Sequence, residues 1–189
     1  MNTQAENHSI PPHPLLGTKP LVLVGLMGAG KSTVGRRLAS ALNVDFVDSD
    51  NEIAEAAGSS ISEIFETYGE AIFRDLEKRV LMRLIGGNPC IIATGGGAFM
   101  NHDIRAEIKQ KATSVWLRAE LDVLVERVSR RDTRPLLKTG DKSVILRKLM
   151  DERYPIYAEA NIVIDSNNST HDAVVHDVLK ALKERINHG

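Results

Sequence analysis

The stretch Gly25-Leu26-Met27-Gly28-Ala29-Gly30-Lys31-Ser32-Thr33 reads G-x-x-x-x-G-K-S, the pattern of a loop that cradles phosphate. Its flanks decide the fold. Before it runs Leu21-Val22-Leu23-Val24, an all-aliphatic block of the kind found in buried parallel strands. After it, Val34, Leu38 and Leu42 recur at helical spacing, with Arg36, Arg37 and Ser40 left for a polar face. The loop therefore joins a strand to a helix, the context its chemistry requires. Glycines permit unusual backbone angles and carry no Cβ to obstruct a ligand. Successive N–H groups then converge on an anion, helped by the positive end of the helix. In that setting Gly28, Ala29, Gly30, Lys31, Ser32 and Thr33 bind nucleotide phosphates. Lys31 reaches the β- and γ-phosphates, and the Ser32 hydroxyl is a ligand for Mg²⁺.

Working outward, Val44-Asp45-Phe46-Val47 is a second strand that runs into Asp48-Ser49-Asp50. Ser60 and Glu63 form a capping-box signal ahead of Ile61, Ile64, Phe65 and Tyr68, and Gly69 closes that short helix. A longer helix carries Phe73, Leu76, Val80, Leu81 and Leu84. Ile91-Ile92-Ala93-Thr94 is the third strand and opens into Gly95-Gly96-Gly97. Ser114-Val115-Trp116-Leu117 and Ile162-Val163-Ile164 are the fourth and fifth. Helices are expected over residues 121–127 and 142–153, the second ended by Pro155, and a last one begins near Ser169 and Thr170. Aliphatic strands alternating with helices imply a parallel sheet covered on both faces. Ligands of such sheets lie beyond the carboxyl ends of the strands. The phosphate loop, Asp48 with Asp50, and the three glycines should therefore meet in one cleft.

The chain has 189 residues, 42% of them hydrophobic and 26% charged, with a net charge of −1. This suits one domain with a sizeable core and gives no global field for nucleic acid or an anionic membrane. Apolar runs are strand-sized, too short to span a bilayer. The single cysteine, Cys90, excludes an internal disulfide, fits a reducing cytoplasm and reads as a buried, inert thiol. The first 19 residues, with Pro11-Pro12-His13-Pro14, read as an unstructured tail. No large apolar stripe demands a partner, so a monomer is expected. None of the six histidines has metal-ligand spacing, and none is assigned a role.

Other positions stay open when the residues are read alone. Asp48 suits a Mg²⁺ contact and Asp50 a hydroxyl attacking a phosphate, yet both also suit turn or capping acids. Arg74 and Arg153 can each fork onto a carboxylate, or be solvated surface charges. The triple glycine exposes backbone to a ligand, or is a flexible turn. The basic stretch with Arg127, Arg130, Arg131 and Arg134 can close over a nucleotide. A nucleic-acid patch fits it less well, because Glu126 and Asp132 interrupt it and no aromatic residues interleave.

Taken together, the chain resembles the shikimate kinase family. The resemblance rests on the phosphate loop, Asp48-Ser49-Asp50, Phe73-Arg74, Gly95-Gly96-Gly97-Ala98, Arg134-Pro135-Leu136-Leu137 and Arg153-Tyr154-Pro155-Ile156-Tyr157, in that order, across roughly residues 20–186. It implies a P-loop NTPase fold of three α/β/α layers with a five-stranded parallel sheet, similar to nucleoside monophosphate kinases. One kinase domain over 20–189 would include a substrate-binding segment near 51–79 and a mobile lid near 133–142. The implied reaction is Mg²⁺-dependent transfer of phosphate from ATP to the 3-hydroxyl of shikimate, a step towards chorismate and the aromatic amino acids. By the same resemblance Lys31, Asp50 and Arg134 are catalytic, and Arg127 and Arg134 join the phosphate loop in binding ATP. Asp50, Arg74, Gly95, Gly96, Gly97 and Arg153 bind shikimate, and Ser32 and Asp48 serve Mg²⁺. The rival readings are a gluconate kinase of similar architecture and a nucleotide-binding regulator that has lost catalysis.

Overall fold

The computed structural model describes residues 13–130, 141–167 and 169–187. The expected lid and Arg134 fall largely or wholly outside these residues, as do the first twelve positions. The elements run β1 (Leu21–Val24), α1 (Lys31–Leu42), β2 (Asp45–Asp48), α2 (Ser49–Ala57), α3 (Ile61–Ile85), β3 (Cys90–Ala93), a 3₁₀ turn (Ala98–Met100), α4 (His102–Lys111), β4 (Thr113–Arg118), α5 (Leu121–Ser129), α6 (Lys142–Tyr157), β5 (Ile162–Asp165) and α7 (His171–Asn187).

The five strands form one sheet in the order β2-β3-β1-β4-β5. Every neighbouring pair is parallel. Parallel pairing needs a crossover between strands, which the helices supply. Central β1 is flanked by β3 and β4, with Leu21 level with Ile91 on one side and Thr113 on the other. Its four residues are wholly buried. That explains why its sequence is uninterrupted aliphatic rather than alternating. The sheet reverses its winding at β1, and a crevice opens beyond the carboxyl ends of β1 and β3. The main core surrounds the sheet. A smaller cluster of Ile53, Ile64, Phe73 and Val80 ties α2 to α3.

Several elements depart from the sequence reading. Helices α2 and α4 were not expected. Each buries little apolar surface: α2 anchors through Ile53, and α4 through Ile104 and Ile108. So short a stripe leaves almost no periodicity. Their starts are set by side-chain caps. Asp48 accepts from the Asp50 N–H at 3.1 Å, and Asn101 from the N–H groups of Asp103 and Ile104. The capping box at Ser60 and Glu63 is formed as expected. At Gly69 (φ 78°, ψ 175°) α3 kinks, and the chain resumes helix to Ile85.

Helix α6 does not stop at Pro155 but runs two residues further. A proline in a helix's last turn removes only one hydrogen bond, and the end is closed by Ala158 N–H donating to Tyr154 O. The extra residues place Tyr157 under the site described below. The expected tail is likewise structured from His13 on. His13 and Gly17 exchange backbone hydrogen bonds, His13 Nε2 meets Leu42 O at 2.8 Å, and Leu16 is buried.

Cys90 begins β3 and is buried. Burial, with the Asp45 carboxylate adding to it, pushes its thiol up to about 11. An aromatic disulfide reagent at pH 8 should therefore leave Cys90 unlabelled in the native protein and label one thiol per chain after unfolding in guanidinium. Rapid labelling of the native protein would contradict the packing of β3.

Candidate active site

The turn after β1 is built for an anion. Gly28 and Gly30 hold φ of 84° and 94°, which side-chain-bearing residues rarely adopt. At Gly28 space is also tight, since a Cβ would lie 3.0 Å from the Val128 side chain and 3.3 Å from Leu124 O. Gly30 caps α1, so the loop N–H groups and the helix N-terminus share one concavity. Lys31 Nζ donates to the carbonyls of Gly25 and Leu26 at 2.7 and 2.9 Å, folding the ammonium over the loop.

The end of β2 supplies oxygen. Ser32 donates its hydroxyl to Asp48 Oδ2 at 2.8 Å, while Asp48 Oδ1 caps α2. A hydroxyl beside a carboxylate is a hard-oxygen pair that suits Mg²⁺. No group of three or more acidic, histidine or cysteine side chains able to hold a metal occurs among the described residues. A divalent ion here would thus draw its other ligands from phosphate and water, as Mg²⁺ commonly does. Asp50 lies in the first turn of α2 and lines the same cleft as Gly30, Lys31, Asp48, Gly95 and Gly96.

The three glycines after β3 form the floor of the second half of the site. A Cβ on Gly95 would lie 2.9 Å from Asp50 Oδ1 and 3.2 Å from Glu77 Oε1. One on Gly96 would lie 3.4 Å from Arg153, and one on Gly97 only 2.7 Å from Arg74. These contacts bring Asp50, Arg74 and Arg153 together, although they come from α2, α3 and α6. Arg153 donates to Gly96 O at 2.9 Å, and the Tyr157 hydroxyl donates to the same carbonyl. Arg74 Nη1 donates to Glu77 Oε2 at 2.7 Å, and Glu70 holds Nε and Nη2 from the outer side. Those two carboxylates keep the Arg74 pKa above its ordinary value, although burial opposes them. Gly97 has ordinary helical angles (φ −95°, ψ −15°), so alanine fits its backbone. Gly97→Ala should fold normally but push the Arg74 head aside. A roughly tenfold rise in the KM of a carboxylate-bearing substrate, with that of a nucleotide unchanged, is expected; a carboxylate-substrate KM that also stays unchanged would show that Arg74 does not hold it.

Arg127 closes the side of the cleft next to the phosphate loop. It donates to Asn167 O at 2.6 Å, to Ser166 Oγ at 3.2 Å and to Gly28 O at 3.3 Å. Burial lowers its pKa.

Of the expected residues, Gly28, Gly30, Lys31, Ser32, Thr33, Asp48, Asp50, Gly95, Gly96 and Arg127 line one crevice, Arg74, Gly97 and Arg153 border its glycine floor, and Ala29 is buried. The structure also adds three to which the sequence reading gave no role. Glu77 was hidden among Phe73, Val80 and Leu81, and a charge at a core-facing helical position was its only signal. Tyr157 was hidden behind Pro155; burial raises its hydroxyl to about 12, with Arg153 opposing. His171 begins α7, yet its ring lines the phosphate cleft beside Gly30, Arg127 and Arg130. Nothing local in the sequence marks it.

Residues 27–183 match the family model described as Shikimate kinase. The chain belongs to the shikimate kinase family. Family members of known sequence include the shikimate kinase of Brucella canis, 49% identical over 168 residues, 89% of this chain and 84% of that one. The shikimate kinase of Rhodopseudomonas palustris is 53% identical over 89% of this chain and 83% of its own length. Among solved structures, shikimate kinase from Acinetobacter baumannii in complex with shikimate superposes with a TM-score of 0.85 at 37% identity, covering 89% of this chain and 94% of that one. A gluconokinase from Sinorhizobium meliloti gives a TM-score of 0.62 at 17% identity over 89% of this chain and 94% of that one, a likeness of fold alone. The family assignment accounts for the parallel five-stranded sheet and the phosphate loop together. It does not favour the gluconate kinase or regulator readings.

Proposed function

We propose that this protein transfers the γ-phosphoryl group of ATP to the 3-hydroxyl of shikimate, giving shikimate 3-phosphate and ADP. The observation that carries the reading is the meeting of Arg74, Arg153 and Asp50 over the glycine floor at the end of β3, next to the phosphate loop. Shikimate is a small ring with one carboxylate and several hydroxyls. Two arginines of different helices suit the carboxylate, and a carboxylate facing them suits a hydroxyl.

In this reading the loop amides and Lys31 bind the nucleotide's phosphates and hold the γ-phosphoryl group in line with the acceptor. Arg127 fixes the nucleotide side, and Arg134 is assigned to the transferring phosphate by resemblance. Arg74 and Arg153, with the backbone of Gly95, Gly96 and Gly97, anchor the ring carboxylate. Asp50 orients the 3-hydroxyl and takes its proton as the oxygen attacks phosphorus. Ser32 and Asp48 are the residues that would hold Mg²⁺, which when bound offsets charge on the β- and γ-phosphates. A cytoplasmic monomer is part of the same proposal. No helix of the described residues is long and apolar enough to cross a membrane.

The test is ADP release by the purified chain with ATP and Mg²⁺, offered shikimate, gluconate, a nucleoside monophosphate or no acceptor. Turnover with shikimate alone is expected. Turnover with gluconate instead would keep the phosphate chemistry and overturn the substrate. ATP binding without turnover on any acceptor would return the chain to the regulator reading.

A further inference from the structure

Glu77 is a buried carboxylate to which the proposed reaction gives no task. Its side chain is 1% exposed. Oε2 is held by Arg74 at 2.7 Å, but Oε1 is buried with no hydrogen-bond partner among the described residues. Buried polar atoms are rarely left in that state, because the lost hydration is not recovered. Oε1 is not far from the acceptor site. It and Asp50 Oδ1 flank the same point, the place where Gly95 lacks a Cβ, at 3.2 and 2.9 Å. Gly95 lacks the Cβ that would come between these two oxygens.

The charges around Glu77 are few. Arg74 lies on its own helix, with exposed Glu70 on the outer side of that arginine. Asp50 faces it from α2, Arg153 and the neutral Tyr157 from α6. The turn after β3 brings only glycines. Without substrate, two arginines therefore balance Glu77 and Asp50. A substrate carboxylate docking on Arg74 and Arg153 adds a negative charge to a partly desolvated site. It also competes with Glu77 for the same guanidinium.

Resting on the shikimate reading above, we infer that Glu77 takes up a proton when the substrate carboxylate binds, so that acceptor binding is coupled to pH through this residue. The proton settles on Oε1, turning an orphaned acceptor into an O–H donor that faces Asp50. The source is solvent, and no other bond changes. Burial already raises the Glu77 pKa, Asp50 adds to that, and Arg74 and Arg153 oppose it. Drawing Arg74 towards a second carboxylate weakens the opposition and raises the value further. Asp50 lines the open cleft, so the cost of charge falls more heavily on Glu77.

The experiment is calorimetric titration of the whole chain with shikimate, without ATP, in phosphate and in Tris at one pH. Buffers of different ionisation enthalpy report protons exchanged. Uptake of up to about one proton per shikimate is expected, and shikimate Kd should weaken by up to about tenfold per pH unit on the alkaline side. Glu77→Gln should remove both the buffer dependence and the pH dependence of Kd. Equal heats in the two buffers overturn the inference while leaving the shikimate reading intact. No shikimate binding at all overturns that reading. Buffer dependence that persists in Glu77→Gln assigns the proton elsewhere and also overturns the inference. Should that variant not bind shikimate, carboxyl-¹³C-glutamate labelling of the native chain decides. One carboxyl resonance moving to its protonated position on binding supports Glu77; no movement overturns it.

Discussion

Asp50→Asn is expected to lower kcat for shikimate by about two to four orders of magnitude, the range associated with loss of a positioned acid–base group. The substitution keeps the shape and removes only the ability to hold a proton and a charge. The backbone N–H of Asp50 remains capped by Asp48, so α2 should still start where it does. The phosphate loop is separate from α2 in sequence, and its bonds from Lys31 to Gly25 and Leu26 do not involve Asp50. ATP binding should therefore hardly change. Phosphoryl transfer proceeds through a loose transition state, in which deprotonation of the acceptor is only part of the barrier. The lower part of the range is thus the better expectation. Steady-state kinetics with ATP and shikimate varied separately check it. A kcat within about threefold of the native value would show Asp50 to be neither base nor essential orienter.

Such residues were legible in the sequence to different degrees, for physical reasons. The phosphate loop is local: its glycines, Lys31 and Ser32 must be adjacent in the chain to form the nest, so a short pattern reports them. The aliphatic runs of β1 and β3 report a sheet buried on both faces, and strand-end geometry then brings Asp50 and residues 95–97 to one crevice without any knowledge of contacts. Arg74 and Arg153 are different. An arginine on a helix looks the same whether solvated or functional, and only a resemblance singled these two out. Helices α2 and α4 were lost because one or two buried residues make no periodic stripe. Glu77, Tyr157 and His171 were lost because each acquires its position from an element distant in sequence. Glu77 faces the turn after β3, Tyr157 bonds Gly96 O, and His171 lies against the Gly30 turn.

Arg74→Ala should act in two separable ways, because its guanidinium borders the cleft on one side and is paired with buried Glu77 on the other. Towards the cleft it lies against Gly97, where a shikimate carboxylate would meet it. Loss of a charge-assisted fork should raise shikimate KM by roughly 10- to 100-fold, with ATP KM unchanged. Towards the core it is the partner of Glu77, whose other oxygen has none among the described residues. Removing one member of a buried pair leaves the other charge uncompensated. Because Arg74 itself is 35% exposed, a loss of about 2 kcal/mol in unfolding free energy is the reasonable expectation rather than the full cost of a buried pair. The sign of its pH dependence is fixed. Without Arg74 the Glu77 pKa rises further above its unfolded value of about 4.3. Ionised Glu77 then destabilises the fold at all pH above its folded pKa. The deficit shrinks as pH falls through that value and is gone below the unfolded one. Adding Glu77→Gln to Arg74→Ala should restore much of the stability at neutral pH, since a neutral amide needs no counter-charge, and should not restore shikimate affinity. Denaturant unfolding at two pH values and shikimate kinetics on the four proteins of this cycle separate the roles. Additive losses of stability would show that Arg74 does not compensate a buried charge. An unchanged shikimate Kd in Arg74→Ala would remove it from the carboxylate site and leave Arg153 to hold the acceptor alone.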